Sequence, residues 1–168
     1  MSDPAAATET ARLADLRAAY DALRPRVEAR TWALAEVFGV EPEAAWGPPE
    51  VLAHVAEMLP FWLGELERVV DGSTEPVPFG RTADDDLRVG VIARDRSLPP
   101  RVLFARVEGG LGAWADRVAT LTAAERAKVG LHPRLGELAA DRILERFVLG
   151  HAAEHVDQLE AILADATS

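Results

Sequence analysis

Apolar residues recur at three- and four-residue steps in four long stretches of this chain, each bounded by proline or glycine, and that pattern leaves few folds open. Leu13, Leu16, Tyr20, Leu23, Val27, Leu34 and Val37 form the first stripe. It predicts a helix over about 10–38, capped by Gly39. Pro25 falls inside, yet the stripe keeps its phase across it, so one kinked helix is expected rather than two. Residues 1–7 are small and polar and are expected to fray.

The second stripe is Val51, His54, Val55, Met58, Trp62, Leu66 and Val69. Pro48 and Pro49 suit a first helical turn, and Asp71-Gly72-Ser73 ends the segment, so the helix is expected over about 48–71. Pro60 cannot donate to the carbonyl of Ala56, which places a bend within two turns of His54. A tolerated kink in a bundle helix is the simpler reading, and shaping of a site the sharper one. From 72 to 98 the periodicity fails among Pro76, Pro78, Gly80, Asp84-Asp85-Asp86 and Gly90. This long connection is expected to be mostly irregular, with one helical turn after Asp86, and connections of such length are usually lids or crossovers.

Pro99-Pro100 opens a third helix, expected over about 99–121, with Val102, Leu103, Val107, Leu111, Trp114, Val118 and Leu121 as its stripe. Gly109, Gly110 and Gly112 lie inside it, and each costs roughly 1 kcal/mol relative to alanine. They mark either a close backbone approach or loose packing. Thr122-Ala123-Ala124-Glu125 has capping-box form and predicts a short helix. The last stripe, Leu144, Val148, His151, His155, Leu159 and Ile162, predicts a helix over about 136–165. No stretch reads convincingly as a strand. The expected fold is a single all-α domain, a four-helix bundle with a long connection between helices two and three, whose neighbours need not be antiparallel.

Composition narrows the function. The 168 residues are 49% apolar and 27% charged, as in a soluble globular domain. There is no cysteine, which excludes disulfides, thiolate metal sites and a cysteine nucleophile. The net charge of -10 argues against nucleic acid, because phosphate binding needs a basic face. No run reaches membrane-span length and no signal-peptide pattern opens the chain, so a cytoplasmic protein without membrane partners is expected.

Three histidines then stand out. His151 and His155 lie four apart, one helical turn, on the apolar stripe where leucine or isoleucine would otherwise sit. His54 holds the same kind of position on helix two. A lone buried histidine is usually a hydrogen-bonded core residue. Two on one seam, with a third on a facing helix, are harder to bury unpartnered, and a metal removes the difficulty. Three protein nitrogens with an open fourth position is the way catalytic zinc is held. His132 precedes Pro133, which biases it away from helical geometry, so it is assigned to a loop outside the site.

These stretches resemble a known family. Trp46-Gly47-Pro48-Pro49-Glu50-Val51-Leu52-Ala53-His54-Val55 is similar to the second-helix signature of the DinB/YfiT-like metalloprotein superfamily. His132-Pro133-Arg134-Leu135-Gly136-Glu137-Leu138 resembles its linker into the last helix, and His151-Ala152-Ala153-Glu154-His155-Val156-Asp157-Gln158 its closing metal motif. The resemblance spans nearly the whole chain in the right order. It implies a four-helix bundle, often a homodimer, and a divalent metal, commonly zinc or nickel, on His54, His151 and His155. The related mycothiol-dependent maleylpyruvate isomerases carry an acidic residue where this chain has His151, which places it nearer the DinB and bacillithiol-transferase side. The resemblance further implies a small-molecule substrate and a low-molecular-weight thiol cosubstrate such as bacillithiol or mycothiol.

Two function classes follow. One is a metal-dependent S-transferase or hydrolase, in which the metal lowers the pKa of a thiol or water. The other is a non-catalytic stress-response or ligand-binding protein with a structural metal. Glu57, three residues from His54 on the same side of helix two, and Glu154, following the first ligand turn of the last helix, are candidates to support a ligand or act as general base, with Glu57 the candidate catalytic residue. Solvated surface charge is the simpler reading of both. Trp62 either lines the pocket or is plain core. The lack of a Glu-x-x-His motif argues against a ferritin-like di-iron site.

Overall fold

The computed structural model describes residues 4–36, 45–73 and 75–166. Four long helical elements form the bundle: α1 (Pro4–Glu28), α2 (Pro48–Asp71), α4 (Pro100–Thr120) and a composite last element. That last element runs through α6 (Ala140–Leu144), a π-helical turn (Glu145–Gly150) and α7 (His151–Asp165). α4 packs on both α1 and α2, while α7 packs on α1 and α2 from the other side. The stripes fill the space between them. Leu13, Tyr20, Leu23 and Val27 meet Leu103, Val107, Leu111, Trp114 and Val118 in one buried core with Met58, Leu66 and Leu159.

The first helix is shorter at its C-terminal end than its stripe predicts, and longer at its start. It begins at Pro4, inside the segment expected to fray, and stops at Glu28. Pro25 therefore lies in the last turn rather than at a mid-helix kink. The terminal carbonyls are taken locally: Ala29 N–H donates to Pro25 O at 3.1 Å, and the Trp32 indole donates to Val27 O at 2.9 Å. Leu34, counted in the stripe, is 43% exposed. Its phase match past Pro25 does not bury it. Val37, Phe38 and Gly39 lie outside the described residues.

Pro60 sits on the exposed side of an unbroken α2, consistent with the tolerated-kink reading. Next to it the Leu59 carbonyl accepts from the buried Trp114 indole at 2.9 Å. The glycines of α4 divide. A Cβ on Gly110 would stand 2.8 Å from the Leu59 Cβ, so glycine is what lets α4 approach α2 here, whereas Gly109 and Gly112 face open space.

The connection after α2 holds more structure than expected. α3 (Asp86–Asp95) is ten residues long, its N-terminus capped by the Asp85 carboxylate accepting from Arg88 N–H at 2.9 Å. A small three-stranded sheet was not expected at all. β1 (Val77–Pro78) runs parallel to β2 (Val129–His132), which pairs antiparallel with β3 (Gly136–Ala139). The last helical element therefore starts at Ala140, not Gly136, which instead takes a left-handed φ of 72° at the start of β3. These strands are two to four residues long and include glycine, too short for a period-two pattern to show. The capping box at Thr122 does open a helix, α5 (Ala123–Arg126). Among the described residues no helix is long and apolar enough to cross a membrane.

Candidate metal centre

His54 is placed by the start of α2. Its carrier turn is fixed by Glu50, a fully buried carboxylate that accepts from the backbone N–H of Ala35 at 2.9 Å and of Gly47 at 3.1 Å, and from Arg96 at 3.2 Å. One turn on, the His54 ring is 3% exposed and stands edge-on to Trp46. His151 and His155 come from the first turn and a half of α7, immediately after the π-helical turn. The positions buried along this element are Ala140, Ile143, Leu144, Val148, Leu149, Ala152, His155, Leu159 and Leu163, most of them linked by four-residue steps. Repeated four-residue steps would drift around a regular α-helix. The wider i→i+5 turn absorbs that drift and keeps the seam inward, and such turns are frequent at functional sites. The same turn sends Arg146 and Phe147 into the cavity beside the histidines.

The three imidazoles converge. His54 Nε2 is 3.0 Å from His151 Nε2, which is 3.2 Å from His155 Nε2. All three rings offer a nitrogen within 4.8 Å of the others. His155 is 3% exposed, while the His151 side chain, expected on the buried seam, is 32% exposed and faces the cavity.

The outer nitrogens explain why the inner ones point together. His155 Nδ1 is 2.9 Å from Gln158 Oε1, an obligate acceptor, so that Nδ1 carries the proton. His151 Nδ1 is 3.3 Å from the Glu154 carboxylate, which accepts likewise. Both Nε2 atoms then present lone pairs to one another at 3.2 Å. Lone pairs facing each other in a buried site repel unless a cation lies between them. Four tetrahedral ligands at roughly 2.05 Å from zinc would be about 3.3 Å apart, close to the separations here. His54 Nδ1 is buried with no hydrogen-bond partner among the described residues. Burial, reinforced by His155, Arg88, His151 and Arg81 nearby, pushes the His54 pKa well below its ordinary value. The ring is thus neutral, as a metal ligand must be. By donor set, spacing and tautomer the site fits a divalent cation.

A cavity of about 590 Å³ opens on this cluster. Its walls include Trp62, Phe147, Arg81, Arg142 and Arg146. Trp62 and Phe147 stack with ring centroids 4.0 Å apart, and His132 stacks on Phe147 at 5.3 Å. Trp62 is thus both core and pocket wall. His132 is not in a loop: it is the last residue of β2 and 5% exposed, though outside the three-histidine cluster as expected. Its Nδ1 accepts from the N–H groups of Arg134 and Leu135, so its Nε2 carries the proton. It packs against Gly80, whose φ of 83° and lack of Cβ make the room; a Cβ there would lie 2.4 Å from the His132 ring.

Glu57 is not placed as a base for this cluster. Its carboxylate is 2.6 Å from Arg81, and both side chains are about nine-tenths buried, at 9% and 10% exposure. Three residues from His54 on α2, it turns instead toward the 72–98 connection, and orients Arg81, which with Arg88 of that segment reaches the cavity wall. Glu154 does reach His151, from an exposed position. No pattern in the sequence marks Arg81, Arg142 and Arg146, because only the fold of the connection and the π-helical turn brings them to the cavity.

No protein-family model matches the chain, and no curated protein matches it by sequence. Among solved structures it is similar to YfiT from Bacillus subtilis, described as "a probable metal-dependent hydrolase with an unusual four-helix bundle topology". The TM-score is 0.75 at 16% identity, over 99% of this chain and 90% of that one. The chain therefore has the YfiT four-helix-bundle fold, with its small sheet as a minor part.

Proposed function

We propose that this chain is a metal-dependent hydrolase or S-transferase whose divalent ion, zinc or nickel, is held by Nε2 of His54, His151 and His155. The carrying observation is the pair of Nδ1 atoms turned outward onto Gln158 and Glu154, which leaves Nε2 lone pairs converging in a buried spot. Acceptors on the outer nitrogen are how metal-ligating histidines are usually fixed. YfiT, with the same fold, is described as a probable metal-dependent hydrolase, and supports the reading.

A metal in this position would supply a Lewis acid that lowers the pKa of a water or a small thiol. The chain's own residues do the rest. His54 and His155 anchor from the buried side, so the site is approachable from the cavity, where His151 lies. The Trp62–Phe147 stack forms an apolar wall that keeps bulk water from one side of the reacting groups. Glu154 and Gln158 hold the ligand rings in one tautomer. Within the described residues the cluster has three side-chain ligands, one short of the four of a structural zinc site, and this favours catalysis over a structural metal.

The test is turnover of an activated ester and of thiol addition to 1-chloro-2,4-dinitrobenzene, measured on zinc-loaded, nickel-loaded and chelated protein. Turnover that needs the metal and disappears in His155→Ala supports the proposal. Turnover unchanged by chelation contradicts it.

A further inference from the structure

Arg142 and Arg146 lie one turn apart on the last helical element, and both line the cavity beside the histidines. Neither makes an ion pair or a side-chain hydrogen bond among the described residues. Most arginines of this chain do pair with a carboxylate, as Arg12, Arg26, Arg106 and Arg117 show. In a chain of net charge -10 a carboxylate partner is easily found, so two unpaired guanidinium groups on one cavity wall are a local departure.

The surrounding charges do not cancel them. The cavity carries two carboxylates, Glu145 and Glu154. Glu145 is already bonded to Arg12, and that pairing, with a smaller contribution from the charge of nearby Arg142, keeps its carboxyl below the usual range, so one carboxylate is shared between two arginines. Glu154 is 3.3 Å from His151 Nδ1. On the positive side stand Arg81, Arg88, Arg142 and Arg146. Arg81 is neutralised by Glu57, and Arg88 donates to Ala83 O at 2.8 Å. The uncompensated positive charge thus sits on the π-helical side, over the Trp62–Phe147 shelf and next to the imidazoles.

We propose that this cavity takes a small molecule bearing an oxyanion group, carboxylate or phosphate, clamped by Arg142 and Arg146, with its body on the Trp62–Phe147 shelf and its reactive end at the three histidines. The guanidinium fork matches both oxyanions in shape, and a cavity wall strengthens such pairs relative to open water. This deepens the hydrolase or transferase reading, and rests on it for the reactive end only; the anion clamp stands on the arginines alone. The anchor group gives the reaction its orientation, since a substrate tethered at one end presents its other end to the metal site at a fixed distance.

Calorimetric titration of inorganic phosphate, succinate and the neutral isostere succinamide, into zinc-loaded and into chelated protein, separates the possibilities. The proposal predicts binding of succinate or phosphate at least tenfold tighter than succinamide, in both forms of the protein. Preference between the two anions identifies the source of the oxyanion. The Arg142→Gln/Arg146→Gln double variant, whose sites are exposed, should weaken anion binding tenfold or more with zinc content and circular dichroism unchanged. Arg146→Lys should fall between the two, because charge survives and the fork does not. Binding of succinamide as tight as succinate overturns the proposal. So does anion binding that vanishes on chelation and ignores the arginine variants, which would place the anion on the metal. Arginine-dependent binding in a protein that takes up no zinc upholds the clamp and refutes the metal reading.

Discussion

His54 and His151, 97 residues apart in sequence, bring their Nε2 atoms to 3.0 Å. Nothing local forces that approach. It results from α2 and α7 packing face to face, with Glu50 fixing the entry of one helix and the π-helical turn setting the phase of the other. Burial there disfavours the charged form of the His54 ring, and the first consequences are therefore electrostatic.

In metal-free protein, stability should fall as pH drops below about 6.5, the ordinary histidine value. The folded-state pKa of His54 lies well below that, chiefly through burial, and burial lowers His132 too. Between the folded and unfolded values the unfolded chain binds more protons, so stability is full above about 6.5 and declines as pH falls. Thermal melts in chelator from pH 8 to pH 5 read this directly. A flat or rising melting temperature toward low pH would refute it. Saturating metal should raise stability throughout the range.

Gln158→Ala should weaken metal binding by about 10–100-fold, since it frees Nδ1 of a buried ligand. Glu154→Ala should do less, because that carboxylate is 76% exposed and its contact longer. Competition against a chromogenic chelator ranks the two; the reverse ranking would show that the Nδ1 contacts do not set the ligand geometry.

Glu57→Gln should leave metal content unchanged and destabilise the fold by about 1–3 kcal/mol, through the buried Arg81 that loses its counter-charge. Urea denaturation and elemental analysis of one preparation give both numbers. Loss of metal with no loss of stability would return Glu57 to the centre.

Gly110→Ala should destabilise by about 1–3 kcal/mol, because its Cβ meets Leu59 at 2.8 Å and α4 must move off α2. Gly109→Ala, facing open space, should stabilise by up to about 1 kcal/mol through helix propensity. Equal effects at the two positions would mean the helices are not in close contact there.

The bundle and the histidine set were legible because both depend on local helical phase. Leu103, Val107, Leu111 and Trp114 are buried where a 3.6-residue period puts them, and His155 lies on such a seam with His151 one turn before it at the cavity edge. The misreadings have other causes. Leu34 keeps the phase of α1 after Pro25 has ended the helix, so phase alone overextended it. β1, β2 and β3 are held by pairing between segments distant in sequence, which no window of residues contains. Glu57 was placed correctly on α2, but its partner Arg81 is brought by the 72–98 connection. The cavity arginines and the stacking of His132 on Phe147 follow from the same long-range packing.

The central claim, a metal held by three histidines, is tested most directly by X-ray absorption spectroscopy at the zinc edge on stoichiometrically loaded protein. The account predicts one zinc per chain with three imidazole nitrogens at about 2.0–2.1 Å and one further light ligand, and loss of the bound ion in His54→Asn, His151→Asn and His155→Asn alike. A spectrum without imidazole scattering, or zinc retained at wild-type stoichiometry by all three variants, would contradict it.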